Sequence, residues 1–292
     1  LGEDTYHIYI DSDLSDGSLT YGEIIIPSTE GNNEEIFLST YICHPSMANN
    51  ELSGPTLVTY LAYMLLQKQR RKYKYRIILI PETIGAITYL SIHHTEMKKN
   101  IRAGFNISCV GDDGTYSYVA SRYGDTLADK VAKNVLSFRY PEYKRYSFLQ
   151  RGSDERQYNS PGIDLPVCAV CRSKYSEYPE YHTSKDNMDL ISPHGLQGAY
   201  EVYCDIIEAL ENNEYYQTQC LCEPQLGKRG LYPLISQKGQ YSAIKKMMDF
   251  IAYADGSNDL IDISNIIHVP VRELIPLVKQ LKECRLLKKM EM

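Results

Sequence analysis

A chain of 292 residues with 43% hydrophobic and 23% charged residues is too apolar to be disordered, and suits one large domain or a medium one with a small appendage. Its formal net charge of −6 excludes a generally basic surface for coating nucleic acid, and no apolar stretch approaches the roughly 18 residues of a membrane span. Leu1 is followed by no signal peptide, so the chain reads as a cytoplasmic one whose N-terminus is incomplete.

In chain order, YGEIII (21–26) and EIFLSTYI (35–42) read as strands, the second continuously apolar enough to be covered on both faces. PTLVTYLAYMLLQKQ (55–69) has helical spacing, with a Gly-Pro start and a basic last turn that suits the helix dipole. The strand YRIILI (75–80) follows, then a helix opening at TIGAITYL, the strand GFNISCV (104–110), the helix DTLADKVAKNVLSF (125–138), the strand LPVCAV (165–170) and the helix GLQGAYEVYCDIIEALENN (195–213). This alternation predicts an α/β fold: a mixed, largely parallel sheet with helices on both faces. Around 223–239, EPQLGKRGLYPLISQKG breaks the pattern with Pro and Gly and reads as a linker. Three short helices with an apolar-basic tail come after it, as in a small winged-helix or helix-turn-helix module. The expected division is therefore 1–223, a linker over 224–239, and 240–292. Basic and acidic residues nearly balance in the last segment, which is weak for a reader of phosphates. A packing or protein-contact role is expected ahead of nucleic-acid binding, and self-association into a homo-oligomer stays open.

Eight cysteines raise the question of a disulfide or zinc framework. Cys168 and Cys171 fall on a strand, where an odd separation points side chains to opposite faces, the wrong geometry for a metal knuckle. Buried, reduced thiols are expected, in keeping with the cytoplasm.

In a parallel sheet the ligand site lies beyond the carboxyl ends of the strands. Four stations fall there or on loops: His44 with NNELSG, Glu82 in IPETIG, Asp112-Asp113 in CVGDDG, and His182 in EYHTSKD. Imidazoles and carboxylates to hold a metal, plus one carboxylate to take a proton, are what metal-assisted hydrolysis requires. Each station has a bland reading too: a satisfied histidine, an Asp-Asp-Gly turn, a helix cap.

CHPSMANNELSG, PETIGAI and YHTSKD resemble the H…DNxSG, EExG and YHTxxD motifs of the zinc aminopeptidases, which include bacterial leucyl aminopeptidases and share their fold with glutaminyl cyclases. More closely, residues 5–290 are similar to a bacterial branch of aminopeptidase-like proteins that pair this domain with a C-terminal winged helix and carry an inserted β domain near the N-terminus. DGSLTYGE, STYICHPSMAN, GSDERQY, GIDLP, RSKY and LGKRGLYP carry that match, and the chain would begin just after the insertion. The resemblance implies that His44 and His182 are metal ligands and that Glu82 is the general base. It also exposes departures. Thr83 stands where a ligand Glu is expected, Asn50 and Glu51 where the bridging Asp and its Asn are, and Ser108 where another ligand Asp is. Two ions close together need bridging anions, so one zinc ion is expected, held by His44, His182 and a carboxylate from Glu51 or Asp112. Asn50 against Glu51, and Asp113 against Asp112, stay open as ligands. Asp154 is expected to support the site, and Arg156 or Arg172 to meet a substrate carboxylate. The implied function is a metal-dependent, aminopeptidase-like hydrolase of a peptide or amide. The alternative is a catalytically degenerate member, a binding or regulatory protein acting through its winged helix.

Overall fold

The computed structural model describes residues 2–231 and 240–290. Its first sheet has seven strands: β1 (Gly22–Ile26), β2 (Glu35–Tyr41), β3 (Lys74–Ile80), β4 (Ile101–Asn106), β5 (Ser117–Val119), β6 (Lys144–Tyr146) and β7 (Val167–Cys171). They lie in the order β1-β3-β2-β4-β7-β5-β6. The central run β3-β2-β4-β7 is parallel, while β1 joins β3 and β5 joins β7 antiparallel. Every residue of β2 is buried, Glu35, Ser39 and Thr40 included, as expected of a strand covered on both faces.

One face carries α1 (Ser53–Gln67), α3 (Leu127–Arg139) and α5 (Pro193–Asn212), whose apolar residues pack with Leu38, Ile77, Phe105 and Cys168. The other carries α2 (Ile84–Asn100) and the short α4 (Glu155–Tyr158) over Phe37, Ile78, Ile80 and Val167. Cys168 and Cys171 sit in clusters on opposite faces, as their spacing demands. The strand expected over 104–110 is shorter at its end. Ile107 still donates to the carbonyl of Ser39 at 2.8 Å, but Cys109 turns the chain out of the sheet with φ of 53°.

The expected boundary at 223 is corrected by a second sheet. Strand β8 (Tyr215–Thr218) pairs antiparallel with β9 (Asp255–Asp259) and β10 (Leu287–Lys289), so the second unit begins before the segment expected to link it. Within that segment, Leu226–Arg229 forms a 3-10 turn with Leu226 and Leu231 buried, and residues 232–239 lie outside the described ones. Helices α6 (Gln240–Tyr253), α7 (Leu260–Ile267) and α8 (Val271–Glu283) complete the unit. Asp259 caps α7 through a reciprocal capping box with Asp262.

The two units share one apolar core, with Phe250, Leu260, Ile263, Leu274 and Leu281 fully buried in the cluster that also holds Phe105 and Val131. Helix α7 packs on α3 and α8 on α5. Asn134 Nδ2 donates to Ser264 Oγ at 3.0 Å and to Asn265 Oδ1 at 2.8 Å. Lys130 pairs with Asp259 and Asp262, both at 2.7 Å. Each fully buried large apolar side chain contributes about 1.5–3 kcal/mol, so this junction is held by packing more than by its ion pairs.

Candidate functional site

The parallel strands deliver their carboxyl ends to one edge. There Ile42 donates to the carbonyl of Ile80 at 2.9 Å, which holds the exit of β2 against that of β3. Cys43-His44 and Pro81-Glu82 therefore emerge side by side. The amide of Glu82 donates to Cys43 Sγ at 3.2 Å, and that sulfur lies 3.1 Å from His44 Nδ1.

A π-helical turn over Ala48–Leu52 then brings the chain back. Its Glu51 carboxylate accepts the His44 amide, and its Oε2 lies 3.4 Å from His44 Nδ1. The donor atoms of Cys43, His44 and Glu51 all fall within 4.8 Å of one another. His182, in the left-handed region at φ 54°, stacks on Tyr181 at 4.0 Å between centroids, with its ring 5.3 Å from that of His44.

Asp186 of the YHTSKD segment fixes the π turn by accepting the amides of Asn49 at 2.6 Å and Asn50 at 3.0 Å, with the Tyr178 hydroxyl at 3.1 Å. Asn49 in turn clasps the next loop. Its Oδ1 accepts the amides of Gly111 and Asp112, at 2.9 and 3.1 Å. Behind the turn, α1 approaches β2 so closely that a Cβ on Gly54 would stand 2.3 Å from Thr40 Oγ1 and 2.6 Å from the Ile107 carbonyl. Only glycine fits there.

Glu82 is half-buried, and α2 starts at Thr83 with no side-chain cap, so the Glu82 carboxylate is not spent on the helix end. Thr83 has φ of 65°; its amide donates to Asp154 Oδ1 at 2.7 Å, and its hydroxyl accepts from Arg156 Nη2 at 2.8 Å. Asp154 is fully buried, with Oδ2 lacking a protein partner.

Two expected site residues are placed elsewhere. Asp112 takes four protein donors, Asn49 Nδ2, the amides of Gly114 and Ser173, and the Ser173 hydroxyl, which fills its lone pairs. It is a strut for the loops, not part of the His44 group, and Asp113 is an exposed partner of His194 at 2.7 Å. Arg172, only 4% exposed, lies over Tyr116 at 4.3 Å, where a Cβ on Gly198 of α5 would be 3.1 Å from its Nη1. Strand alternation sends it to the face of Cys168 and Val170, under the helices, which leaves no edge for a substrate.

Burial and the closeness of several carboxyls set the electrostatics of this edge. Among the described residues no Lys or Arg forms an ion pair with Glu51, Glu82 or Asp154. Burial, with Glu82 nearby, pushes Glu51 up to about 7 against the hydrogen bond it receives. Burial likewise raises Asp154 to about 7, aided by Glu82 and Glu155. The Cys43 thiol is pushed up by burial and by Glu51, Glu82 and Asp154. Where the resemblance puts second-ion ligands, Asn50 donates to the Tyr41 hydroxyl at 3.0 Å, and Ser108 is buried and neutral.

Cys43 is the residue that sequence reasoning missed. Its signal was only its place beside His44, and it is exposed where buried thiols were expected.

Residues 4–213 match the family described as "Domain of unknown function (DUF4910)". The chain belongs to this family. Residues 213–289 match a winged helix-turn-helix family, with a boundary that agrees with β8. A Clostridium acetobutylicum protein named "Putative polysaccharide biosynthesis protein with aminopeptidase-like domain" is 44% identical over 266 residues, covering 90% of this chain and 60% of its own length. A solved structure from the same organism, described as a "putative peptidase", matches with TM-score 0.85 and 40% identity over 95% of this chain and 62% of that one. The chain thus spans about 60% of the length of these relatives.

More distant folds agree. The zinc aminopeptidase of Bacillus subtilis gives TM-score 0.53 at 16% identity, over 64% of this chain and 48% of that one. A glutaminyl cyclase from an Acidobacteriales bacterium gives 0.54 at 15%, over 66% and 74%. The chain is an aminopeptidase-like α/β domain followed by a winged helix. No helix among the described residues is long and apolar enough to cross a membrane.

Proposed function

We propose that the chain is a metal-dependent, aminopeptidase-like hydrolase that cleaves a peptide or amide bond at the carboxyl edge of the first sheet. The carrying observation is the group of Cys43, His44 and Glu51, with donors within 4.8 Å of one another and, among the described residues, no Lys or Arg paired with Glu51. That donor set fits a divalent ion, with His44, Glu51 and His182 as holders. When bound, such an ion supplies Lewis-acid polarisation of a carbonyl.

The protein's own residues supply the rest. Glu82 stands on a turn locked by Asp154 and Arg156, where its carboxylate can take the proton of an attacking water. Arg156 is exposed beside Thr83, with donors to spare for a substrate carboxylate. One zinc ion is the economical count, because Asn50 and Ser108 carry no charge to bridge a second. Nucleic acid is left out of this reading. Helix α8 packs on α5, and Arg272 is drawn to Asp205 at 3.3 Å, so this face of the module is turned to its own chain.

The same neutral pair favours a second reading, a non-catalytic binding or regulatory member. Two measurements decide between them. Metal analysis of purified protein should find about one zinc per chain, lost when His44 and His182 are both replaced by Ala. A hydrolysis screen should cover aminoacyl amides, short peptides and, given the name of the Clostridium relative, N-acylated amino sugars. No metal under zinc-replete conditions and no turnover would establish the second reading, and two full zinc equivalents would contradict the role given to Asn50.

A further inference from the structure

We propose that Cys43 is itself a ligand of the site ion, which makes the centre a mixed sulfur, nitrogen and oxygen site. The inference rests on the metal-centre reading above. A tetrahedral zinc with Zn–S about 2.3 Å and Zn–N or Zn–O about 2.0–2.1 Å sets its donor atoms roughly 3.3–3.6 Å apart. Cys43 Sγ to His44 Nδ1 is 3.1 Å, and Glu51 Oε2 to the same nitrogen is 3.4 Å. Two of the three donor spacings thus lie near what one ion imposes, and all three donors lie within 4.8 Å of one another.

The sulfur is also held for that role. The Glu82 amide donates to Sγ at 3.2 Å, which fixes the side chain beside His44. The group is assembled by the two central strands and the Asp186-anchored turn, so it does not depend on a long flexible loop. A nucleophilic role fits less well. Reactive thiolates sit in electropositive surroundings, whereas Glu51, Glu82 and Asp154 surround this one. Coordination removes the conflict, because a thiol that binds a divalent ion is deprotonated outright. Such a donor set selects zinc, cobalt or cadmium over magnesium, manganese or calcium.

The test is zinc X-ray absorption on the full chain, with metal stoichiometry measured on the same samples. Wild type should show one sulfur scatterer at about 2.3 Å. The Cys43→Ala variant should lack it and bind zinc more than about tenfold less tightly. Cobalt(II)-loaded wild type should show a thiolate charge-transfer band that Cys43→Ala loses and Cys222→Ala keeps. Should Cys43→Ala fail to fold, Cys43→Ser, checked by circular dichroism, should exchange the sulfur shell for oxygen. Zinc bound with no sulfur shell, and with equal affinity in wild type and Cys43→Ala, overturns the ligand role and leaves the metal centre standing. No bound metal in wild type overturns the metal centre, and the ligand role with it.

Discussion

Two polar regions of this molecule have opposite characters. At the junction of the two units every named charge has its counterpart: Lys130 with Asp259 and Asp262, Arg139 with Glu201 and Asp205, Arg272 with Asp205. At the carboxyl edge of the sheet, Glu51, Glu82 and Asp154 gather with no Lys or Arg ion pair among the described residues, and Asn50 Oδ1 and Asp154 Oδ2 are buried without a protein partner. Buried polar groups that go unpaired cost stability. The first region is thus organised to hold the fold, while the second leaves polar atoms for water or a ligand to meet.

If that contrast is right, substitutions at the edge should remove function while sparing stability, and those at the junction should do the reverse. Glu82→Gln should show the largest effect, a loss of roughly 10²–10⁴ in turnover on the best substrate of the screen, the usual worth of a positioned general base. Its metal content and unfolding midpoint should match wild type, and a variant as fast as wild type would remove Glu82 as the base. Next comes Leu274→Ala in the shared core, with about 2–5 kcal/mol lost in denaturant unfolding and zinc content unchanged. Loss of zinc in the folded variant would show that the winged helix shapes the site.

Asn134→Ala strands Ser264 and Asn265 at the contact of α3 with α7 and should cost about 1–3 kcal/mol, again without loss of activity. The smallest effect concerns acid. Burial pushes the Asp259 carboxyl up, but hydrogen bonds from Lys130 and Asn213 outweigh it and leave it below the ordinary 3.8. A depressed carboxyl contributes stability that is present above its ordinary value and lost as pH falls through the folded one. Thermal midpoints of wild type should therefore drop more between pH 5 and 3 than those of Asp259→Asn, by under about 1 kcal/mol. Parallel curves would show that the pair adds nothing to docking.

The sheet and its main helices were legible because their patterns are long and clean: β2 is a mostly apolar, β-rich run, and α1 and α5 carry wide apolar stripes. The short strands β5 and β6 have only three residues each, too few for a period to register. Strand β8 lies between the helix ending at 213 and the linker from 224, and goes unread because its partners are some 40 and 70 residues on, where pairing leaves no local mark. At the site, His44 and Glu51 come from the motifs and share one donor group, with the His182 ring 5.3 Å from that of His44. A sequence shows neither that Asp112 is taken by four donors nor that Arg172 lies under the helices over Tyr116. Cys43 was passed over because a cysteine at a strand end reads as apolar filling.

Thr83 carries a consequence beyond chemistry. A β-branched residue with φ of 65° and ψ of −72° occupies a backbone region that costs about 1–3 kcal/mol, and it does so between the Glu82 carboxylate and the first turn of α2. Glycine would relieve that strain at once. It would also release the Arg156 tether on the threonine hydroxyl. Selection for heat resistance alone would therefore drift toward glycine at position 83, and the hardier proteins it yielded would aim Glu82 less well.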